Sequence, residues 1–196
     1  MTQTASDHHP IGLIVDDDLR RSRLTVFFRL LLAIPQEIWL GIWGIAVYVV
    51  VIVAWFAALF VGRVPTGMHS FLAHYARAAT HLRAYILLLA NPWPPFGGER
   101  GTYPVDLRID GPMQQSRLTV FFRALLAIPA FLLTYVFGIV NSLVAFLGWF
   151  VCIVTGRMPQ GMRDLSLWML RYETQTYCYV LLLTGRYPSL SGAPSV

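Results

Sequence analysis

The chain has 196 residues, of which 56% are apolar and only 13% charged; a soluble domain carries about 25% charged residues. Its net charge of +5 is that of fifteen arginines, with no lysine, against ten Asp and Glu. These arginines flank apolar runs instead of gathering on one face, which speaks against a nucleic-acid-binding surface and for contact with anionic lipid.

The first ten residues are polar and lack a basic segment followed by an apolar one, so they read as a tail (1–9), His8 and His9 included, with no cleavable leader. Ile11-Gly-Leu-Ile-Val-Asp16 comes next. It has a counterpart 94 residues later, Val105-Asp-Leu-Arg-Ile-Asp110, in which apolar and polar residues alternate. Period two predicts a strand with one buried face. A lone strand does not stand by itself, so the two copies are expected to pair in a small sheet at the membrane surface.

Ser22-Arg-Leu-Thr-Val-Phe-Phe-Arg-Leu-Leu-Leu-Ala-Ile-Pro35 follows. Ser116–Pro129 repeats it at 13 of 14 positions, differing only in Leu30 against Ala124. The same offset superposes Trp55-Phe56 on Trp149-Phe150, Gly62-Arg63 on Gly156-Arg157, and Arg77 on Arg171. The chain is one module written twice. With Ser22 or Ser116 as N-cap and Pro35 or Pro129 as stop, the stretch predicts a helix of about three turns, too short to span. It is either an interfacial helix whose Arg29 or Arg123 reaches a headgroup or carboxylate, or a helix packed on a bundle with a snorkelling arginine.

Two uncharged apolar runs come after these stretches, Ile38–Val61 and Ala130–Thr155. Both exceed the roughly 20 helical residues that cross a hydrocarbon core. Trp39, Trp43 and Trp55 are expected at membrane boundaries. Gly138 and Ser142 form a small-xxx-small pair suited to close helix contact, and Asn141 is an intramembrane polar residue expected to bridge helices. Gly62-Arg-Val-Pro65 and Gly156-Arg-Met-Pro159 predict tight turns into second helices over about 67–89 and 161–183.

These second helices are amphipathic. In the first, Met68, Phe71, Leu72, Tyr75, Ala79, Leu82, Ile86 and Leu89 make one face, and Ser70, His74, Arg77 and His81 the other. A central arginine argues for lying flat, but the shared membrane face of the two Ser-Arg-Leu-Thr copies argues for an even number of crossings per copy. We expect four crossings, with Arg77 and Arg171 facing the bundle interior; an inverted two-crossing arrangement is the alternative. The arginine distribution places both termini in the cytoplasm. Asn91–Tyr103, rich in Pro and Gly, joins the copies.

The resulting fold is mainly α and membrane-embedded. It comprises two tandem copies of strand, interfacial helix and transmembrane helical hairpin, with a small surface β pairing: a first repeat over 10–96, a linker at 97–103, a second repeat over 104–190, and a tail at 191–196. The order of motifs resembles the bacterial membrane family known as the domain of unknown function DUF4389. The features that carry this are Ser22–Pro35, Trp55–Gly67 and Tyr85–Phe96, seen again as Ser116–Pro129, Trp149–Gly161 and Tyr179–Pro188. Ser189-Leu190 departs from the Pro-Phe ending. The resemblance implies a bacterial integral membrane protein and brings no activity with it.

No nucleophile–base order, phosphate loop or metal spacing is visible, and His74 and His81 stand about 10 Å apart along a helix. Cys152 and Cys178 belong to no ligand pattern and read as buried thiols. Neither a catalytic residue nor a cofactor or metal site is therefore expected. Arg29, Arg123, Arg77 and Arg171 are the candidate lipid or anion contacts. The expected function is a non-enzymatic scaffold or accessory subunit in the cell membrane. It would contact lipids, a partner complex or a second copy, and no nucleic acid. The alternatives are a small transporter or channel with Arg77, Arg171 and Asn141 on a cavity, and a lipid-modifying enzyme supported by location alone.

Overall fold

A computed structural model describes residues 9–191. Eight elements follow in order: β1 (Ile11–Val15), α1 (Arg23–Phe27), α2 (Arg29–Val61), α3 (Thr66–Ile86), β2 (Val105–Ile109), α4 (Arg117–Phe121), α5 (Arg123–Thr155) and α6 (Gln160–Val180). The second four repeat the first four. Most of the tails expected at 1–9 and 191–196 lies outside the described residues, but His9 is held, its ring placed against the carbonyls of Ile11 and Tyr187.

The repeated Ser-Arg-Leu-Thr stretch is not one short helix. It breaks at Phe28, whose ψ of 8° interrupts α1, and then runs through Pro35 as the first turns of a 33-residue helix. Proline there removes a single main-chain bond, to the carbonyl of Leu31, which a long helix tolerates. The same happens at Phe122 and Pro129. Ser22 and Ser116 do occupy N-cap positions, but their hydroxyls make no capping bond.

Along α2 the buried residues Arg29, Ala33, Gln36, Leu40, Val47, Ala54 and Ala58 recur every three, four or seven positions, so one narrow stripe faces inward. The remaining faces are apolar and exposed. Only 17% of the most apolar window of α2, and of α5, is buried, which is unlike the core helix of a soluble protein. These two helices alone, among the described residues, are long and apolar enough to cross a membrane. Gly62 and Gly156, at φ 80° and 72°, end them in the left-handed conformation that glycine adopts without strain. Pro65 and Pro159 then open α3 and α6.

α3 and α6 lie between the apolar helices and the sheet. Trp43 on α2 packs edge-on against Phe71 and Tyr75 of α3, with ring centres 6.0 and 5.6 Å apart. On its other side α3 meets β2, where Arg77 Nε donates to the carbonyl of Leu107 at 3.1 Å. α6 meets β1 in the same way, Gln175 Nε2 donating to the carbonyl of Ile11 at 3.2 Å. Burial wraps most of both helices, so they form an inner layer, and neither of them, expected from the sequence as a second pair of crossings, is among the helices long and apolar enough to cross a membrane.

β1 and β2 pair antiparallel, as the alternation predicted, with Leu13 opposite Leu107. These two are equivalent residues, so the pseudo-twofold axis relating the copies passes through the centre of the sheet. The copies also interlock elsewhere. Trp55 donates its indole N–H to the carbonyl of Val120 on α4, and Trp149 donates to that of Val26 on α1. Arg21 N–H donates to Gly156 O, and Gln115 N–H to Gly62 O, both at 2.9 Å. The start of each long helix therefore abuts the end of the other. The two sequence repeats are not two packing units.

This pairing does not fit the four-crossing arrangement expected from the sequence. That arrangement needs the Ser-Arg-Leu-Thr stretches on one membrane face and the Gly-Arg-x-Pro turns on the other, yet Arg20 and Arg157 form a β-bridge with each other. The end of the first repeat folds back on its own long helix. Trp93 donates to Leu32 O and Gln36 to Pro95 O, binding 93–96 to the start of α2. Trp39 and Trp55, expected as boundary anchors, spend their indole N–H groups on main-chain carbonyls of Phe96 and Val120.

Candidate functional site

Arg29 and Arg123 point inward. Arg29 is 2% exposed, and its Nη1 donates to the carbonyls of Tyr85 and Ala90, at 2.5 and 3.0 Å. Arg123 does the same with Tyr179 and Thr184. Each guanidinium lies over the ring of that tyrosine, 4.4 and 4.5 Å from its centre. The last carbonyls of a helix lack partners within it. Main-chain N–H groups of 87–89 and 181–183 meet several of them, and an arginine from the neighbouring helix adds a second donor to the Tyr85 carbonyl of α3 and the Tyr179 carbonyl of α6. The reach toward a headgroup or carboxylate expected of Arg29 and Arg123 is not what these side chains do. In the second copy Arg123 Nη2 also donates to Gln115 Oε1.

Arg77 and Arg171 do not face each other across a cavity. Arg77 is bonded to β2 as described. Arg171 donates to Ser191 O at 2.9 Å and to Leu190 O at 3.2 Å, fastening the C-terminal segment onto α6. Asn141 is fully buried on the inward stripe of α5, and neither of its amide atoms has a hydrogen-bond partner among the described residues. The expected bridge between helices is not formed.

The symmetry also breaks where α3 meets α6. Arg83 on α3 and Glu173 on α6 stand where the other copy has Tyr177 and Ala79. Arg83 donates through Nε to Glu173 Oε1 at 3.0 Å and through Nη2 to Oε2 at 3.2 Å, a two-bond fork that joins the copies. The pair lines an open cavity of ≈ 530 Å³ together with Thr134, Tyr135 and Ser142 of α5 and Tyr177 of α6. Gly138 also borders it, and a Cβ there would meet nothing within 4 Å. Gly138 and Ser142 thus open space instead of seating another helix. Burial, with the Glu173 carboxylate as a smaller cause, pushes the Tyr177 phenol above its ordinary value, so its proton stays available for donation.

The cavity can hold a small polar group against an apolar wall. Ser142 Oγ donates to Gly138 O of its own helix at 2.8 Å, and the Glu173 carboxylate is taken up by Arg83. His81 is committed elsewhere, its Nε2 3.0 Å from Asp106 Oδ1. Cys152 and Cys178 are buried free thiols, as expected. Among the described residues no three His, Cys, Asp or Glu side chains gather at metal-binding distance.

The Arg83–Glu173 pair escaped sequence reasoning because its members are 90 positions apart and no helical spacing links them. One signal was present: two opposite charges, each found in only one copy of an otherwise repeated helix.

No curated protein and no solved structure matches the chain. One family does match, described as "Domain of unknown function (DUF4389)", over residues 23–97 and again over 117–191. The chain belongs to the DUF4389 family and carries two tandem copies of its domain.

Proposed function

We propose that this protein is a non-enzymatic membrane scaffold or accessory subunit, embedded through α2 and α5 and contacting lipids together with a partner complex or a second copy. One observation carries the reading: two 33-residue helices that are apolar on nearly all sides and bury a single stripe. Such a surface calls for a hydrocarbon solvent. The polar groups support an inert body. The conspicuous arginines cap helix ends or tie loops, and the charged pair at the cavity is internally neutralised.

The transporter alternative needs Arg77 and Arg171 on a cavity, and both are bonded to main-chain carbonyls instead. The test is extraction from native membranes into polymer-bounded lipid discs. The protein should resist an alkaline wash, stay with the lipid, and bring the same lipid class or protein with it in repeated preparations. Release by the wash, or a lipid-free monomer with no recurrent companion, would remove the proposal.

A further inference from the structure

We infer that α2 and α5 do not cross the bilayer but lie in its plane, so that the molecule is sunk into the acyl region of one leaflet with its sheet toward the water. This rests on the membrane reading above and adds an orientation to it. Three observations lead there.

The first is direction. Val26, just before α2, is bonded by Trp149 near the end of α5, and Val120, just before α5, is bonded by Trp55 near the end of α2. The two helices therefore run in opposite directions. Helices related by a twofold axis are antiparallel only when they lie across that axis. The axis passes through the Leu13–Leu107 pair, whose side chains both point inward, so it stands perpendicular to the sheet. The layers stack along it: sheet, then α3 and α6, then α2 and α5.

The second is what crossing would require. If α2 and α5 spanned, the axis would lie within the bilayer, and the sheet would sit beside mid-helix, at the depth of the hydrocarbon centre. A two-stranded sheet has two open edges, and open edges are not tolerated in contact with lipid. Exposed Asp16 and Asp110, at the ends of β1 and β2, would be carried to the same depth.

The third is length. Leu30 and Val61 are 72% and 64% exposed, at opposite ends of α2. They lie about 46 Å apart at 1.5 Å per residue, against a hydrocarbon core of about 30 Å. An in-plane helix has no such limit along its length. Its thickness of about 10–12 Å fits a single leaflet of about 15 Å.

The exposed arginines agree. Arg20 and Arg157 mark one end of the antiparallel pair, Arg63 and Arg117 the other. Lying flat, both ends meet the headgroups of one leaflet. Spanning would divide them between the two faces, against the usual bias of positive charge to the cytoplasmic side. That bias assigns the molecule to the cytoplasmic leaflet.

The test uses four variants of the full chain, Arg20→Cys, Arg63→Cys, Arg117→Cys and Arg157→Cys, in sealed membrane vesicles with a membrane-impermeant maleimide. The two natural cysteines are buried, so the unsubstituted chain serves as the blank. All four positions should label from the cytoplasmic side and lose labelling from the other. Arg20 and Arg157 on one side with Arg63 and Arg117 on the other would overturn the inference in favour of two crossings. Arg20 and Arg117 on one side with Arg63 and Arg157 on the other would overturn it in favour of four. Uniform labelling from the outer side alone would overturn the leaflet assignment. The alkaline wash keeps the two proposals apart. If the chain leaves the membrane there, as a water-soluble dimer joined through α2 and α5 for instance, the membrane reading itself fails.

Discussion

The guanidinium of Arg29 lies 4.4 Å from the centre of the Tyr85 ring and donates to that residue's own carbonyl oxygen. One side chain thus ties the end of α3 to the start of α2. Arg29→Met should cost about 1–3 kcal/mol, because the Ala90 carbonyl loses its donor and the Tyr85 carbonyl keeps only the Leu88 N–H. Arg29→Lys should recover only part, since a lysine cannot serve two carbonyls and stack on a ring together. Arg123→Met should behave alike. Denaturant unfolding in a fixed detergent gives the numbers; a lysine variant equal to the parent would show that charge alone suffices.

The cross-copy indole bonds make a second measurement. Trp55→Phe and Trp149→Phe each keep an aromatic ring and lose one hydrogen bond, so each should cost about 1 kcal/mol. The two sites share no partner, so the double variant should show about the sum of the single losses. If neither substitution moves the unfolding midpoint, the interlocking of the copies does not contribute to stability.

Gly98 allows no substitution. Its φ is +63°, and a Cβ there would stand 2.0 Å from the carbonyl oxygen of His74 and 2.9 Å from the amide nitrogen of Ala78. Both contacts are main chain of α3 and have no rotamer to change. Gly98→Ala should destabilise by at least about 2 kcal/mol through backbone displacement and left-handed strain. Gly101→Ala supplies the contrast: φ is +75° but nothing lies within 4 Å, so only the strain of roughly 1 kcal/mol remains. Equal effects at the two glycines would mean that 97–103 is not docked on α3.

Much of this fold was legible in the sequence, and the limits have physical causes. Period-two alternation found both strands, and their burial needs implied the pairing. The Gly-Arg-x-Pro turns and the apolar runs gave the hairpins. Pro35 misled because proline interrupts a helix by one bond and not by necessity, while nothing local marks the true break at Phe28. The swap that sends Trp55 to Val120 was invisible, because intra-copy and cross-copy packing leave the same repeat in the sequence. Arginines flanking apolar runs predict contact with lipid or an anion. Arg29 found carbonyls at a helix end, partners that every helix has and no side-chain pattern records.

Acid should act through Asp106. Burial alone would raise its carboxyl, but the hydrogen bonds from His81 and from the N–H groups of Gly101 and Leu107 outweigh it and hold the pKa below the ordinary value. The contribution of this site to stability is therefore complete above the unfolded carboxylate value of about 3.9 and disappears as pH falls through the lower folded value. Asp106→Asn should be less stable than the parent near neutrality and should lose less on acidification. Thermal unfolding from pH 7 to below pH 4 compares them, and parallel losses in both chains would place the acid-sensitive group elsewhere.

Asn141 offers the cleanest use of the internal repeat as a control. It is buried on the inward stripe of α5 with no partner for its amide among the described residues, and Val47 occupies the equivalent place on α2. An unpaired buried amide opposes folding by about 1–3 kcal/mol, whereas valine adds apolar contact at a position already shaped for it in the other copy. Asn141→Val should therefore raise the unfolding midpoint, and Val47→Asn should lower it by a similar amount. The expected gain separates two roles for the amide. A residue kept for structure should follow this sign. A loss of stability in Asn141→Val would mean that the amide meets a partner in the assembled membrane complex, and co-purification of a companion protein with the parent but not the variant would identify it.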